Sequence, residues 1–155
     1  MEKKKNNSVD IQNRKASFEY HFLDTIEAGI VLFGTEVKSI RQNGASISEA
    51  YCYISKREMF IKNMHISMLN NVGDNQHDPL RERKLLLSKK EIIKLENELK
   101  NQGLTVVPVS LYTNKRGLVK IKIALAKGKK LYEKRNKILQ KQIDKEVKDK
   151  INSLK

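Results

Sequence analysis

The sequence predicts one mainly β domain with added α structure: an antiparallel six-stranded β-barrel, about two flanking helices, and a basic C-terminal tail. Three observations carry this. Short runs of β-prone residues recur between clusters of turn formers. Two segments break that pattern with helical spacing and end signals. The chain has 155 residues, a one-domain length, and 39 % hydrophobic residues, enough for one modest core. An antiparallel sheet that must bury one face in so short a chain curls into a small barrel with its helices alongside.

Taken in order, residues 1–12 are polar and are expected to be mobile. Phe18, Tyr20 and Phe22 alternate with Glu19, His21 and Leu23, which predicts a half-buried strand to about Ile26. Ala28-Gly29 is expected to break it. Ile30-Val31-Leu32-Phe33 reads as a buried strand that Gly34 ends. Thr35 is placed to cap a short helix through Arg41, with Val37 and Ile40 inward and Lys38 and Arg41 outward. Gly44 stops it. Ile47–Ile54 and Met59–Ile66 form a hairpin around the turn-like Ser55-Lys56-Arg57-Glu58. Residues 70–78 (NNVGDNQHD) make an exposed loop.

Ser88-Lys89-Lys90-Glu91 fits a capping box, with Leu87 and Ile92 at the staple positions. Ile92, Leu95 and Leu99 then give the inward stripe of a helix, and Gly103 is suited to its C′ position. Leu104–Leu111 is a strand whose Pro108 implies an edge or a bulge. After a turn at 113–117, Val119, Ile121, Ile123 and Leu125 alternate with Lys120, Lys122 and Ala124, a strand with one face buried. The folded domain spans 13–131 and the tail 132–155.

Charge decides the class of partner. Lys and Arg total 32 against 18 acids, a net +14. Such a surplus draws polyanions. Half of it, +7, lies in residues 127–155, which hold eleven Lys/Arg and four acids. Leu139, Ile143, Val147, Ile151 and Leu154 recur there at helical spacing, but the stripe is narrow. The tail is expected to be partly disordered or helical and to order on a partner. No apolar run is long enough to span a membrane. The start, MEKKKNNSVD, has no apolar stretch behind its lysines, so no signal peptide is expected. The lone Cys52 excludes an intrachain disulfide and suits a reducing cytoplasm.

Enzyme chemistry finds little support. His21, His65 and His77 share no metal-ligand spacing, and one Cys makes no zinc site. His77-Asp78 lacks a nucleophile elbow, and Lys127-Gly128-Lys129-Lys130 lacks the preceding Gly of a phosphate-binding loop. No catalytic residue, metal or cofactor is expected. The polar clusters at element ends read instead as a phosphate-binding face: Asn13-Arg14-Lys15, then Glu36, Lys38, Ser39 and Arg41, then Arg81, Arg83 and Lys84, then Lys127, Lys129 and Lys130. Tyr51, Tyr53, Tyr112 and Tyr132 are available to stack on bases, although core or cross-strand packing suits all but Tyr132 better.

These clusters fall within long motifs: NRKA (13–16), EAGIVLFGTEVKSIR (27–41), HIS (65–67), HDPLRERKLLL (77–87) with KKEI (89–92), and ALAKGKKLYEKR (124–135). In them the chain closely resembles the SsrA-binding protein (SmpB) family over about residues 13–135. The resemblance implies an OB-like barrel that binds the tRNA-like domain of transfer-messenger RNA. It implies delivery, with GTP-bound elongation factor Tu, to a stalled ribosome for trans-translation and degradation tagging. The tail would enter the empty mRNA channel beyond the decoding site.

Carried over, Glu36, Lys127, Gly128, Lys129 and Lys130 are RNA-face residues, with Asn13, Arg14, Lys15, Lys38 and Arg41 as weaker members. Glu36 would accept from a base edge or ribose hydroxyl, or orient a neighbouring Arg. Tyr132, Glu133, Lys134 and Arg135 open the ribosome-binding tail. The family usually has Asp where Glu133 stands, and is richer in Arg beyond Arg135. The expected protein is a cytoplasmic bacterial monomer, no enzyme, and no membrane partner. Two rivals remain: a general RNA-binding OB protein and an enzyme acting on RNA.

Overall fold

The computed structural model describes residues 8–69, 76–129 and 131–153, with side chains in the last segment from residue 139 onward. The elements run β1 (Asp10–Gln12), α1 (Arg14–Glu19), β2 (Tyr20–Ile30), α2 (Gly34–Arg41), β3 (Ala45–Ser46), β4 (Tyr51–Ser55), β5 (Glu58–Lys62), β6 (His65–Ile66), β7 (Arg83–Leu86), α3 (Lys89–Glu98), β8 (Leu104–Thr113), β9 (Val119–Gly128) and α4 (Leu131–Ser153). Every strand pairing is antiparallel. Six strands close a ring in the order β8-β4-β5-β7-β2-β9, sealed by β9 on β8. The short β1 adds to β8, and β3 pairs with β6 as a separate ribbon.

The predicted barrel is therefore present, but three of its expected pieces differ. Residues 14–19 are helix rather than the approach to a strand, because Asn13 caps them: its Oδ1 accepts from the Ala16 N–H at 3.0 Å. Ala28-Gly29 does not break β2, which runs on to Ile30. Gly29 faces β7 at Leu86, where a Cβ would stand 3.2 Å from the Leu86 Cβ, so the glycine admits a close neighbour rather than a turn. Residues 31–33 are consequently a connection, and Val31 and Phe33 are exposed. A strand at Arg83–Leu86, absent from the sequence reading, fills the ring instead.

The hairpin of β4 and β5 forms as expected around Lys56 and Arg57. Both turn residues have positive φ, 50° and 61°, the left-handed pair that matches the strands' twist. α2 begins at Gly34, two residues earlier than a Thr35 cap implies, and Thr35 does not cap it. The Glu36 carboxylate caps it by accepting from the Phe33 N–H at 2.9 Å. The Ser88–Glu91 capping box of α3 is present with both of its hydrogen bonds. Gly103, at φ 81°, serves the turn into β8 rather than the helix end itself.

β8 has three partners and shows what Pro108 is for. Its first half meets β4 at Val106, its second half meets β1 from Ser110, and the register against β9 shifts between Pro108 and Ser110. The residue without an N–H sits at this bulge, where the outer partner changes. Ile40, Ile47, Met59, Ile61, Met64, Ile66, Leu85, Leu111, Ile121 and Ile123 fill the barrel at 0–1 % exposure. A second, small cluster lies outside the ring, where Ala16 of α1 packs on Val107 and Ala126. That helix covers the outer face of β9 at Ala126, and Ala124 on the same face is buried too. In α4, Leu139, Ile143, Val147 and Ile151 are all more than half exposed, an apolar stripe facing solvent.

Candidate nucleic-acid interface

The candidate RNA-face residues fall at the two ends of β2. At its start, Tyr20 pairs with Gly128 and His21 with Lys127. The Lys129 N–H donates to Glu19 O at 2.8 Å, and its ammonium donates to Ser17 O at 3.2 Å, at the negative end of α1. Arg14 and Lys15 are exposed on α1. Arg14, Lys15, Lys127, Gly128 and Lys129 therefore share one end of the barrel. The Lys15 ammonium pairs with Glu49, which raises its pKa. Nothing lies within 4 Å of where a Cβ would stand on Gly128, so no packing constraint demands glycine there. Lys130 lies outside the described residues. Tyr132, Glu133, Lys134 and Arg135 lie within α4, but their side chains lie outside the described set.

Asn13, at the start of α1, sits level with the middle of β8 and is withdrawn from solvent, at 4 % exposure. Its Nδ2 donates to Pro108 O at 2.8 Å and to Ile47 O at 3.1 Å, and its N–H donates to Val109 O at 2.8 Å. These contacts pin the start of α1 to the bulge in β8. The residue is a clamp for the helix that carries Arg14 and Lys15, not a contact itself.

The far end of β2, about 30 Å along an eleven-residue strand, leads into α2. Lys38 and Arg41 are exposed there, as expected. Glu36 is not: it is 0 % exposed. Its Oε2 accepts from Arg83 Nε, and its Oε1 from Arg81 Nη2 at 2.6 Å and from the Phe33 N–H. Burial alone would raise the carboxyl's pKa, but Arg81, the Phe33 N–H and Arg83 together hold it below its ordinary value. Glu36 thus has no oxygen free for a base edge, and of its two expected roles the geometry supports orienting an arginine.

Arg83 is also 0 % exposed, and burial lowers its pKa against the pull of Glu36. Its Nη1 donates to Met64 O at 2.8 Å. It ties β7, α2 and the end of β5 together and is not part of a contact surface. Arg81 is different. It lies over the Phe33 ring, 4.0 Å from guanidinium carbon to ring centroid. The sequence reading placed Phe33 in a buried strand and did not link Glu36 to arginines 45 and 47 residues away. The one local hint was an acid alone in a basic stretch.

The aromatic candidates are largely structural. Tyr53 stacks on Phe60 across the hairpin, with centroids 5.7 Å apart, and its hydroxyl binds Glu82. The Tyr112 hydroxyl donates to Glu27, and burial together with that carboxylate pushes its pKa up to about 12. Tyr51 remains exposed. His77 is buried, joining Thr35 Oγ1 and Ile66 O, each at 2.9 Å. Among the described residues no group of His, Cys, Asp and Glu could hold a metal ion, and no helix is long and apolar enough to cross a membrane.

Comparison with known proteins places this geometry in context. The family model described as SmpB protein matches residues 10–153. An SsrA-binding protein of Cytophaga hutchinsonii is 55 % identical over 140 residues, 90 % of this chain and 92 % of its own length. One from Phocaeicola vulgatus is 53 % identical over 133 residues, 86 % of this chain and 89 % of its own. A chain from a structure described as tmRNA-SmpB, on a journey to the center of the bacterial ribosome, is similar at a TM-score of 0.67 and 38 % identity. That likeness covers 79 % of this chain and 85 % of the other.

Proposed function

Because this chain belongs to the SmpB family of SsrA-binding proteins, we propose that it binds transfer-messenger RNA and carries it to stalled ribosomes for trans-translation. The barrel grips the tRNA-like domain. The tail, α4, enters the vacant mRNA channel of the small subunit. Elongation factor Tu with GTP joins through the charged RNA, and one copy of the chain acts per RNA, in the cytoplasm. The chain is an adaptor and performs no chemistry of its own.

The observation that carries this reading is the gathering of cations where the family motifs meet. The exposed Lys127 at the end of β9 and the half-buried Lys129 just after it join the exposed Arg14 and Lys15 of α1, around a Gly128 backbone that no side chain covers. Bare backbone flanked by ammonium groups suits approach by an RNA phosphate. Lys38 and Arg41, at the other end of β2, extend the footprint to a second strip of backbone. Glu36 supports that second strip from inside by holding Arg81. In α4, the exposed lysines supply point charge without the planar fork of arginine, which suits a mobile fit along ribosomal RNA.

Pull-down of the full chain from bacterial cells, followed by sequencing of bound RNA, tests the reading. Transfer-messenger RNA is expected to dominate the recovered RNA. Broad recovery of unrelated RNAs would favour the general RNA-binding alternative.

A further inference from the structure

We infer that Phe33 and Arg81 form a stacking platform for one unpaired base of the bound RNA, with Glu36 as the positioning residue that holds Arg81 in place. This deepens the RNA-binding reading and rests on it. Phe33 is 53 % exposed although it is a large aromatic at the start of a helix. Val31, whose carbonyl accepts from Arg81, and Leu80, the residue before Arg81, are exposed too, at 42 % and 57 %.

The Arg81 guanidinium is fixed rather than free. Arg81 Nη2 donates to Glu36 Oε1 at 2.6 Å and to Val31 O at 3.3 Å, and the group lies against the Phe33 ring. A planar cation locked onto an exposed ring offers two things a base needs: π-surface and positive charge. Unpaired bases in RNA loops are recognised by such stacking on aromatic and arginine planes.

The electrostatics favour RNA over an acidic-residue-binding or neutral protein surface. The acids nearby are already engaged: Glu36 by Arg81 and Arg83, Glu82 by the Tyr53 hydroxyl, and Asp78 Oδ1 by the Leu80 N–H at 2.9 Å. Lys38 and Arg41 stand exposed on the adjoining helix, where they can take the phosphates that flank a stacked base. Phe33 itself makes no side-chain contribution to the barrel core, so changing it should leave the fold intact.

The chain contains no Trp, so Phe33→Trp places the chain's one indole on the platform, where it can be excited selectively beyond the tyrosine absorption. Titrating this full-length variant with a transcript of the tRNA-like domain should quench its fluorescence to saturation, as a base stacks on the indole. Phe33→Ala should bind the same transcript about ten- to hundredfold more weakly, with an unchanged melting temperature. An unquenched Phe33→Trp variant, together with wild-type affinity in Phe33→Ala, would overturn the platform and leave the patch to a protein partner. Failure of the wild-type chain to bind the transcript would instead contradict the functional reading on which the platform rests.

Discussion

Glu36 shows how one buried residue ties several elements of this protein together. Its carboxylate caps α2, neutralises the fully buried Arg83 and holds the largely buried Arg81. Removing one partner of a buried ion pair leaves the other uncompensated, which typically costs about 3–5 kcal/mol. Glu36→Ala should therefore lower stability by about that much in denaturant unfolding, rather than weaken RNA binding alone. The pH dependence follows from the same contacts. The carboxyl's pKa is held below its ordinary 4.5 in the folded chain. In that window the unfolded chain binds more protons than the folded one, so stability rises with pH. The contribution is complete above the ordinary value and disappears as pH falls through the folded one. The stability difference between wild type and Glu36→Gln should then shrink on acidification from about pH 6 to pH 3. A difference that stays constant would mean that the carboxylate charge is not what holds the network.

Among the elements, the proposed function divides the labour between barrel and tail. α4 presents a solvent-facing apolar stripe and a dense set of lysines, while the cations of α1 and β9 sit on the barrel. Deleting residues 132–155 should leave affinity for the tRNA-like domain within about twofold, because no barrel contact is removed. The same deletion should abolish tagging in a stalled-ribosome translation assay. Loss of RNA affinity on deletion would place the tail in the primary site. How much of this was legible in the sequence varied with the range of the interaction. The α3 capping box, the β4–β5 hairpin and the Pro108 bulge were readable because their signals lie within a few residues of the feature they determine. The helix at 14–19 was missed because its cap, Asn13, is fixed by Pro108 and Val109 across the sheet. β7 was missed because the arginine in a strand too short to show alternation is buried by a distant carboxylate. The candidate residues could be named from motifs, but their exposure could not be read from the sequence. Asn13 and Glu36 face inward for reasons that no local pattern encodes.

For the whole molecule, the +14 charge is a statement about a polyanionic partner and not about which one. Family membership supplies the identity, and the fold supplies the arrangement: one cluster at each end of β2 and a third strip of lysines along α4. Contacts with the tRNA-like domain at both barrel ends imply several released counterions, hence a steep salt dependence. They also imply that a structured RNA able to span both barrel ends will outcompete a short hairpin that reaches only one. The most direct measurement is the affinity of the full chain for the tRNA-like domain and for an unrelated hairpin of equal length, each across a range of salt concentrations. Log K for the tRNA-like domain should fall linearly with log salt, by about 0.7–0.9 per phosphate contacted, and its advantage over the hairpin should survive at moderate salt. Equal affinity for the two RNAs, or an affinity that does not change with salt, would contradict the proposed function.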